Sequence, residues 1–212
     1  MSISILGLTG PSGAGKGTVC GIFAEYNIPS IDTDAVYHGL LDTDEALTAE
    51  LIGAFGANIL AENGKIDRKR LGARVFGQEN TSQLLHTLNT ITHKYVMTRT
   101  RELVRELENN GATAVLIDAP QLFEAGIQHE CLFVIGVLAD RELRISRIMQ
   151  RDDISRDAAE RRINAQRDDA FFRSACQYIL ENNGDVDALR AQVCRLLKIS
   201  GLEAHCKSKK GS

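Results

Sequence analysis

"ISILGLTGPSGAGKGT", residues 3–18, decides the fold. Its first half, "ISILGLT" (3–9), is a nearly continuous apolar run, as expected for a strand covered on both faces. Its second half carries G-x-x-x-x-G-K, with Gly10, Gly15 and Lys16 at the fixed positions, and "KGTVCGIFAEY" then continues with helical spacing. A strand, a glycine-rich turn and a helix in that order form a phosphate-binding loop. Gly10, Gly13 and Gly15 permit backbone angles that let consecutive amides turn inward on an anion. The helix N-terminus adds partial positive charge, and Lys16 can reach β- and γ-phosphates. The predicted nucleotide contacts are therefore Gly10, Pro11, Ser12, Gly13, Ala14, Gly15, Lys16, Gly17 and Thr18. The hydroxyl that normally follows the lysine and ligates magnesium is missing. Gly17 stands there, and Thr18 comes one position late.

Four more β-like runs follow, "IPSID" (28–32), "TAVLIDA" (113–119), "LFVIGVLA" (132–139) and "QYILE" (177–181), with helical patterns between them. Strands alternating with helices predict a parallel, doubly wound sheet. The stretch from 33 to 112 is too long for one crossover helix, so a helical subdomain is expected at about 34–111. A second helical pair is expected over about 140–173. These readings give an α/β fold of the P-loop NTPase type: three α/β/α layers, a five-stranded parallel sheet, the inserted helical subdomain and a second helical region. One domain covers 1–200, with its core at 1–33, 112–140 and 174–200 and the second helical region at about 141–173. The polar, basic tail 201–212 reads as disordered.

Composition excludes several classes. The net charge is −3, so no global basic field points to a nucleic-acid partner. Apolar runs such as "CLFVIGVLA" are too short to span a bilayer, and the N-terminus reads as a buried strand without a secretion signal. Five cysteines, odd in number and lacking any C-x-x-C, suit reduced thiols in a cytoplasmic protein. No N-K-x-D string occurs, which disfavours a GTPase.

Carboxylates lie at two predicted strand ends. Asp34, in "IPSIDTDAV", is placed either to accept a proton from an attacking hydroxyl or simply to cap the helix "AVYHGLL". Asp118 ends the strand "TAVLID", the Walker B arrangement for a magnesium-associated carboxylate. Magnesium could be held through Thr18, through water, or through Asp34 and Asp118. In "RELRISRIMQRDD", Arg144, Arg147 and Arg151 lie along one helical face, where guanidinium groups suit a transferring phosphoryl group.

The loop string on its own resembles that of nucleoside monophosphate kinases, cytidylate kinases in particular. The wider pattern resembles the dephospho-coenzyme A kinase family from about residue 3 to 197. It is carried by "GIFAEYNIPSIDTDAV", "FGANILAENGKIDRKRLGARVF", "LNTITHKYV", "IDAPQLFEAG", "RIMQRDDISRDAAERRINAQ" and "YILENNGDVDALRAQVCRLL". The resemblance implies ATP-dependent phosphorylation of the ribose 3′-hydroxyl of dephospho-coenzyme A by a monomer using magnesium. It implies that the inserted subdomain is a helical substrate domain and that about 141–173 is a helical lid, with Asp34 as general base, Lys16 in the phosphate cradle, and Arg147 and Arg151 as lid arginines. Asn182 matches an adenine-side turn, while Arg68 and His93 fall in the substrate domain with Asp34 and Asp118 as further acceptor contacts. The family usually has Ser, Pro and Leu where this chain has Gly17, Lys94 and Gln121. Two alternatives remain at this stage, a nucleoside monophosphate kinase and a catalytically silent nucleotide-binding regulator.

Overall fold

Five strands run in the order β2-β3-β1-β4-β5, and the apolar runs of the sequence supply them. The computed structural model describes residues 2–76 and 80–202, so the expected tail lies, from 203 onward, outside the described residues. The strands are β1 (Ser4–Thr9), β2 (Ser30–Asp32), β3 (Ala114–Asp118), β4 (Phe133–Leu138) and β5 (Tyr178–Glu181). β1 pairs in parallel with both β3 and β4, and β4 pairs in parallel with β5. β1, β3 and β4 hold the centre because their side chains are apolar on both faces.

Two compact units divide the chain: residues 1–31 with 106–202, and residues 32–105. In the first, α1 (Lys16–Glu25) and α9 (Val186–Ile199) cover one face of the sheet. Val19, Ile22 and Phe23 from α1, with Leu189, Val193 and Leu197 from α9, close over Leu6, Leu8 and Ile135. Each such side chain contributes about 1.5–3 kcal/mol by leaving water. The opposite face is covered so closely that β1 and β4 use glycines there. A β-carbon at Gly7 would stand 2.9 Å from Leu122 Cδ1, and one at Gly136 would stand 3.0 Å from Cys176 Sγ. This completes the three layers.

Between β4 and β5 lie α6 (Arg141–Asp152), α7 (Arg156–Asn164) and α8 (Asp169–Ala175). The expected pair of helices is thus three among the described residues, because Ser155 and Asp168 each start a new helix by accepting from a backbone amide. Ile145, Ile148, Ala159 and Ile163 join α6 to α7 in a small separate core.

The second unit comprises α2 (Thr33–Thr43), α3 (Glu45–Phe55), α4 (Arg68–Phe76) and most of α5 (Thr81–Asn109). Leu47, Leu51 and Phe55 recur every fourth residue along α3 and are buried with Leu71, Val75 and Ile91. Lys94, where proline would have interrupted α5, donates to Glu50 Oε2 at 2.8 Å. Tyr95 Oη donates to the same oxygen at 2.8 Å, so the pair ties α5 to α3.

Candidate active site

The phosphate loop is built by turning its carbonyls away from the space its amides enclose. Ser12 O accepts from Arg144 Nε at 3.0 Å, Gly13 O from Arg147 at 3.2 Å, and Ala14 O from Asn182 Nδ2 at 2.8 Å. Pro11 O takes the Ala14 amide, and Gly10 O takes Lys16 Nζ at 3.1 Å. Every carbonyl from Gly10 to Ala14 is therefore engaged. Gly15 then enters α1 at φ 97°, a conformation in which a β-carbon is strained. No side chain caps α1, so its first amides remain directed at the space an anion fills.

The charge follows the same plan. Among the described residues neither Lys16 nor Arg147 forms an ion pair, so both cations add uncompensated positive charge beside the loop. Arg144 is 5% exposed, and the carboxylate paired with it is that of Asp169, at 3.5 Å; burial lowers its pKa from the ordinary guanidinium value. Asn182 is buried beneath the loop, and its carbonyl accepts from Arg147 at 3.1 Å. Arg151 points elsewhere: its Nε and Nη2 donate to Asp152, at 2.8 and 2.9 Å, and Asp152 also accepts from Arg162. Arg147 thus stands at the loop, while Arg151, one turn along the same helix, does not.

Asp118 closes β3 in register with Leu8, two residues before Gly10. Its Oδ1 is buried, and Cys20 Sγ on α1 lies 3.8 Å from its Oδ2. Thr18 lies in the first turn of the same helix. A hydroxyl and a carboxylate are hard oxygen donors of the kind a small divalent cation takes, with phosphate and water completing its shell. Among the described residues no cluster of three or more His, Cys, Asp or Glu could hold a metal ion unaided. Cys131 and Cys176 offer no nucleophile, since burial pushes their thiols to about 12 and about 11.

The helical unit carries the other predicted residues. The cap of α2 is Asp32, not Asp34: Asp32 Oδ1 accepts from the amides of Asp34 and Ala35 at 2.9 and 3.1 Å. Asp32 leaves the strand in extended geometry, which aims its carboxylate at the amides two and three residues on, so the helix begins one residue before Asp34. Asp34 is exposed in the first turn, where a negative charge suits the helix dipole. Tyr37, one turn further on the same face, has its phenol pKa raised by burial and lowered by the nearby Arg68 guanidinium. Arg68 opens α4 behind Asp67, whose Oδ1 accepts from the amides of Lys69 and Arg70. His93 is half-buried on α5, and Gln121, in the other unit, is exposed.

Residues 4–188 match the family model described as dephospho-CoA kinase. The chain belongs to the dephospho-CoA kinase family. It is similar to the dephospho-CoA kinase of Carboxydothermus hydrogenoformans, with 35% identity over 92% of this chain and 94% of that one. Its fold is that of a Thermus thermophilus crystal structure at TM-score 0.76, with 30% identity over 94% of this chain and 99% of the other. The dephospho-CoA kinase of Campylobacter jejuni aligns at TM-score 0.66, with 27% identity over 93% and 97% of the two chains. The dephospho-CoA kinase family is one of P-loop kinases, so the five-stranded parallel sheet and its phosphate loop are those of a nucleotide-dependent phosphotransferase.

The sequence offers Arg144, with Arg147 and Arg151, to a transferring phosphoryl group, whereas the structure engages it with the Ser12 carbonyl; Gln166 carries no signal in the sequence. Ser12 N donates to Gln166 Oε1 at 3.0 Å across 154 positions. The only signal was the spacing of Arg144 and Arg147, three residues apart on one face of the helix after β4.

Proposed function

We propose that this chain transfers the γ-phosphate of ATP to the ribose 3′-hydroxyl of dephospho-coenzyme A, giving coenzyme A. The observation that carries this reading is the extent of the family match. It runs from 4 to 188, through the whole helical unit as well as the loop, whereas the likeness to cytidylate kinases stops at the loop.

The loop amides and Lys16 hold the β- and γ-phosphates, and Lys16 exchanges the Gly10 carbonyl for phosphate oxygen. Asp34 accepts the proton of the 3′-hydroxyl; with Asp32 serving as cap, that role does not compete with starting α2. Arg147 spreads the charge of the transferring group, and Arg151 joins it by leaving Asp152 when the lid closes. Asn182 lies at the adenine side of the loop, and Arg68 and His93 contact the acceptor. Thr18 and Asp118 would hold magnesium, directly or through water, with Asp34 as a further oxygen donor. When bound, magnesium would supply charge neutralisation to the phosphates. We place the enzyme in the cytoplasm as a monomer, which agrees with four described cysteines outside any disulfide. Among the described residues no helix is long and apolar enough to cross a membrane.

A coupled assay of ADP release with dephospho-coenzyme A, CMP, UMP and AMP tests the reading. Turnover is expected with dephospho-coenzyme A alone. A preference for any of the three nucleotides, or ATP binding with no acceptor used, would refute it.

A further inference from the structure

We propose that Arg144 and Gln166 form a clamp on Ser12 that fixes the nucleotide-binding conformation of the phosphate loop, making both of them positioning residues for ATP. This rests on the kinase reading above. Arg144 Nε donates to the Ser12 carbonyl and Gln166 Oε1 accepts from the Ser12 amide, each at 3.0 Å. The amide belongs to the peptide plane before Ser12 and the carbonyl to the plane after it, so both planes are pinned. The two clamping groups also meet each other, Arg144 Nη2 lying 3.5 Å from Gln166 Oε1. Behind the loop, a β-carbon at Gly13 would stand 2.7 Å from the Arg144 carbonyl, so the backbone of α6 forms a floor under the next residue.

The pinning matters because Gly13, at φ 78°, follows directly, and a glycine restrains the adjoining peptide plane less than any other residue. Rotation of the plane after Ser12 would swing a carbonyl into the space meant for phosphate oxygens and set like partial charges against each other. Arg144 opposes that rotation by holding the carbonyl outward. Its burial makes the hold firm, because a guanidinium nearly out of water loses heavily if a hydrogen bond is left unmade. Gln166 extends the clamp to the linker between α7 and α8. The neighbouring Arg167 lies 4.6 Å from the Phe171 ring centroid and 3.5 Å from Glu124, which anchors that linker to the segment after β3. The loop is therefore held from a helix on one side and from an anchored strap on the other.

The test uses the full chain and four variants, Arg144→Ala, Arg144→Lys, Gln166→Leu and the Ala/Leu double. Binding of a non-hydrolysable ATP analogue is measured by calorimetry, alongside thermal melting and steady-state kinetics. Each single truncation should weaken analogue binding and raise the KM for ATP about tenfold, the scale of one charge-assisted or buried hydrogen bond. The acceptor KM should stay within about twofold, and the double variant should fall short of the product of the singles because both act through Ser12. Arg144→Lys should recover part of the loss. Gln166 is exposed, so its variant reports on the loop even where Arg144→Ala lowers stability. Unchanged analogue affinity in a normally folded Gln166→Leu protein would overturn the clamp while leaving the kinase reading intact. Failure of the unaltered chain to bind the analogue would overturn both. Analogue binding without phosphorylation of dephospho-coenzyme A would count against the acceptor alone, and the clamp would still be judged by the affinity ratios.

Discussion

The side-chain amide of Asn182 donates to the carbonyl of Ala14 at 2.8 Å, joining residues 168 positions apart in a buried contact. That contact leaves no room beside it. A β-carbon on Gly15 would fall well inside contact distance of Asn182 Nδ2, and Gly15 sits at φ 97°. Gly15→Ala should therefore displace Asn182 or flatten the loop. Left-handed strain alone costs about 1–3 kcal/mol. Urea unfolding should show a loss of that order, and ATP affinity should drop at least about tenfold.

Gly17 differs sharply from its neighbour. It lies inside α1, and a β-carbon there meets nothing within 4 Å. Gly17→Ser should fold normally and gain up to about 1 kcal/mol from the reduced freedom of the unfolded chain. If the absent hydroxyl withholds a magnesium ligand, the variant should reach half-maximal activity at a lower magnesium concentration. An unchanged magnesium titration would show that Thr18 and Asp118 suffice.

Asp34→Asn separates chemistry from binding. Asp32 performs the capping, so the helix start should survive the substitution. Turnover should fall by about 10²–10⁴, the usual contribution of a general base, with ATP affinity nearly unchanged. Turnover within about threefold of the parent would remove Asp34 from the role of base, on the same scale.

Asp152 offers a pH-dependent reporter of the lid. Hydrogen bonds from Arg151, with help from Arg162, hold its carboxyl down at about 2. A depressed carboxylate favours the folded form above its unfolded pKa of about 3.9, and the benefit disappears as pH falls toward about 2. Carboxyl NMR should show this titration, with Arg151→Ala raising the Asp152 pKa more than Arg162→Ala. If Arg151 moves to phosphate in the closed enzyme, saturating nucleotide and acceptor should also raise it. A pKa that ignores both ligands would keep Arg151 on Asp152 throughout the cycle.

Some of this was written locally in the chain. The apolar runs gave five strands within a residue or two of their observed ends, and the glycine–lysine string gave the loop, because each depends on neighbours in sequence. The helix cap was half legible: "IDTD" announced a helix, but the extended geometry at the end of β2 chose Asp32 over Asp34. The division of the lid into three helices was harder to see, since Ser155 and Asp168 look like ordinary polar residues until their side chains take amides.

By itself, then, the sequence determined a phosphate loop on the central strand of a parallel sheet, a separate helical unit and a lysine at the end of that loop. Only the tertiary structure decided which of three arginines on one helix serves that loop. Arg144 and Arg147 reach it and Arg151 turns to Asp152. The physical reason is that a guanidinium goes to whichever oxygen can satisfy it. For Arg144 and Arg147 those oxygens are loop carbonyls more than 130 positions away, brought within reach only when β1 and β4 pair side by side.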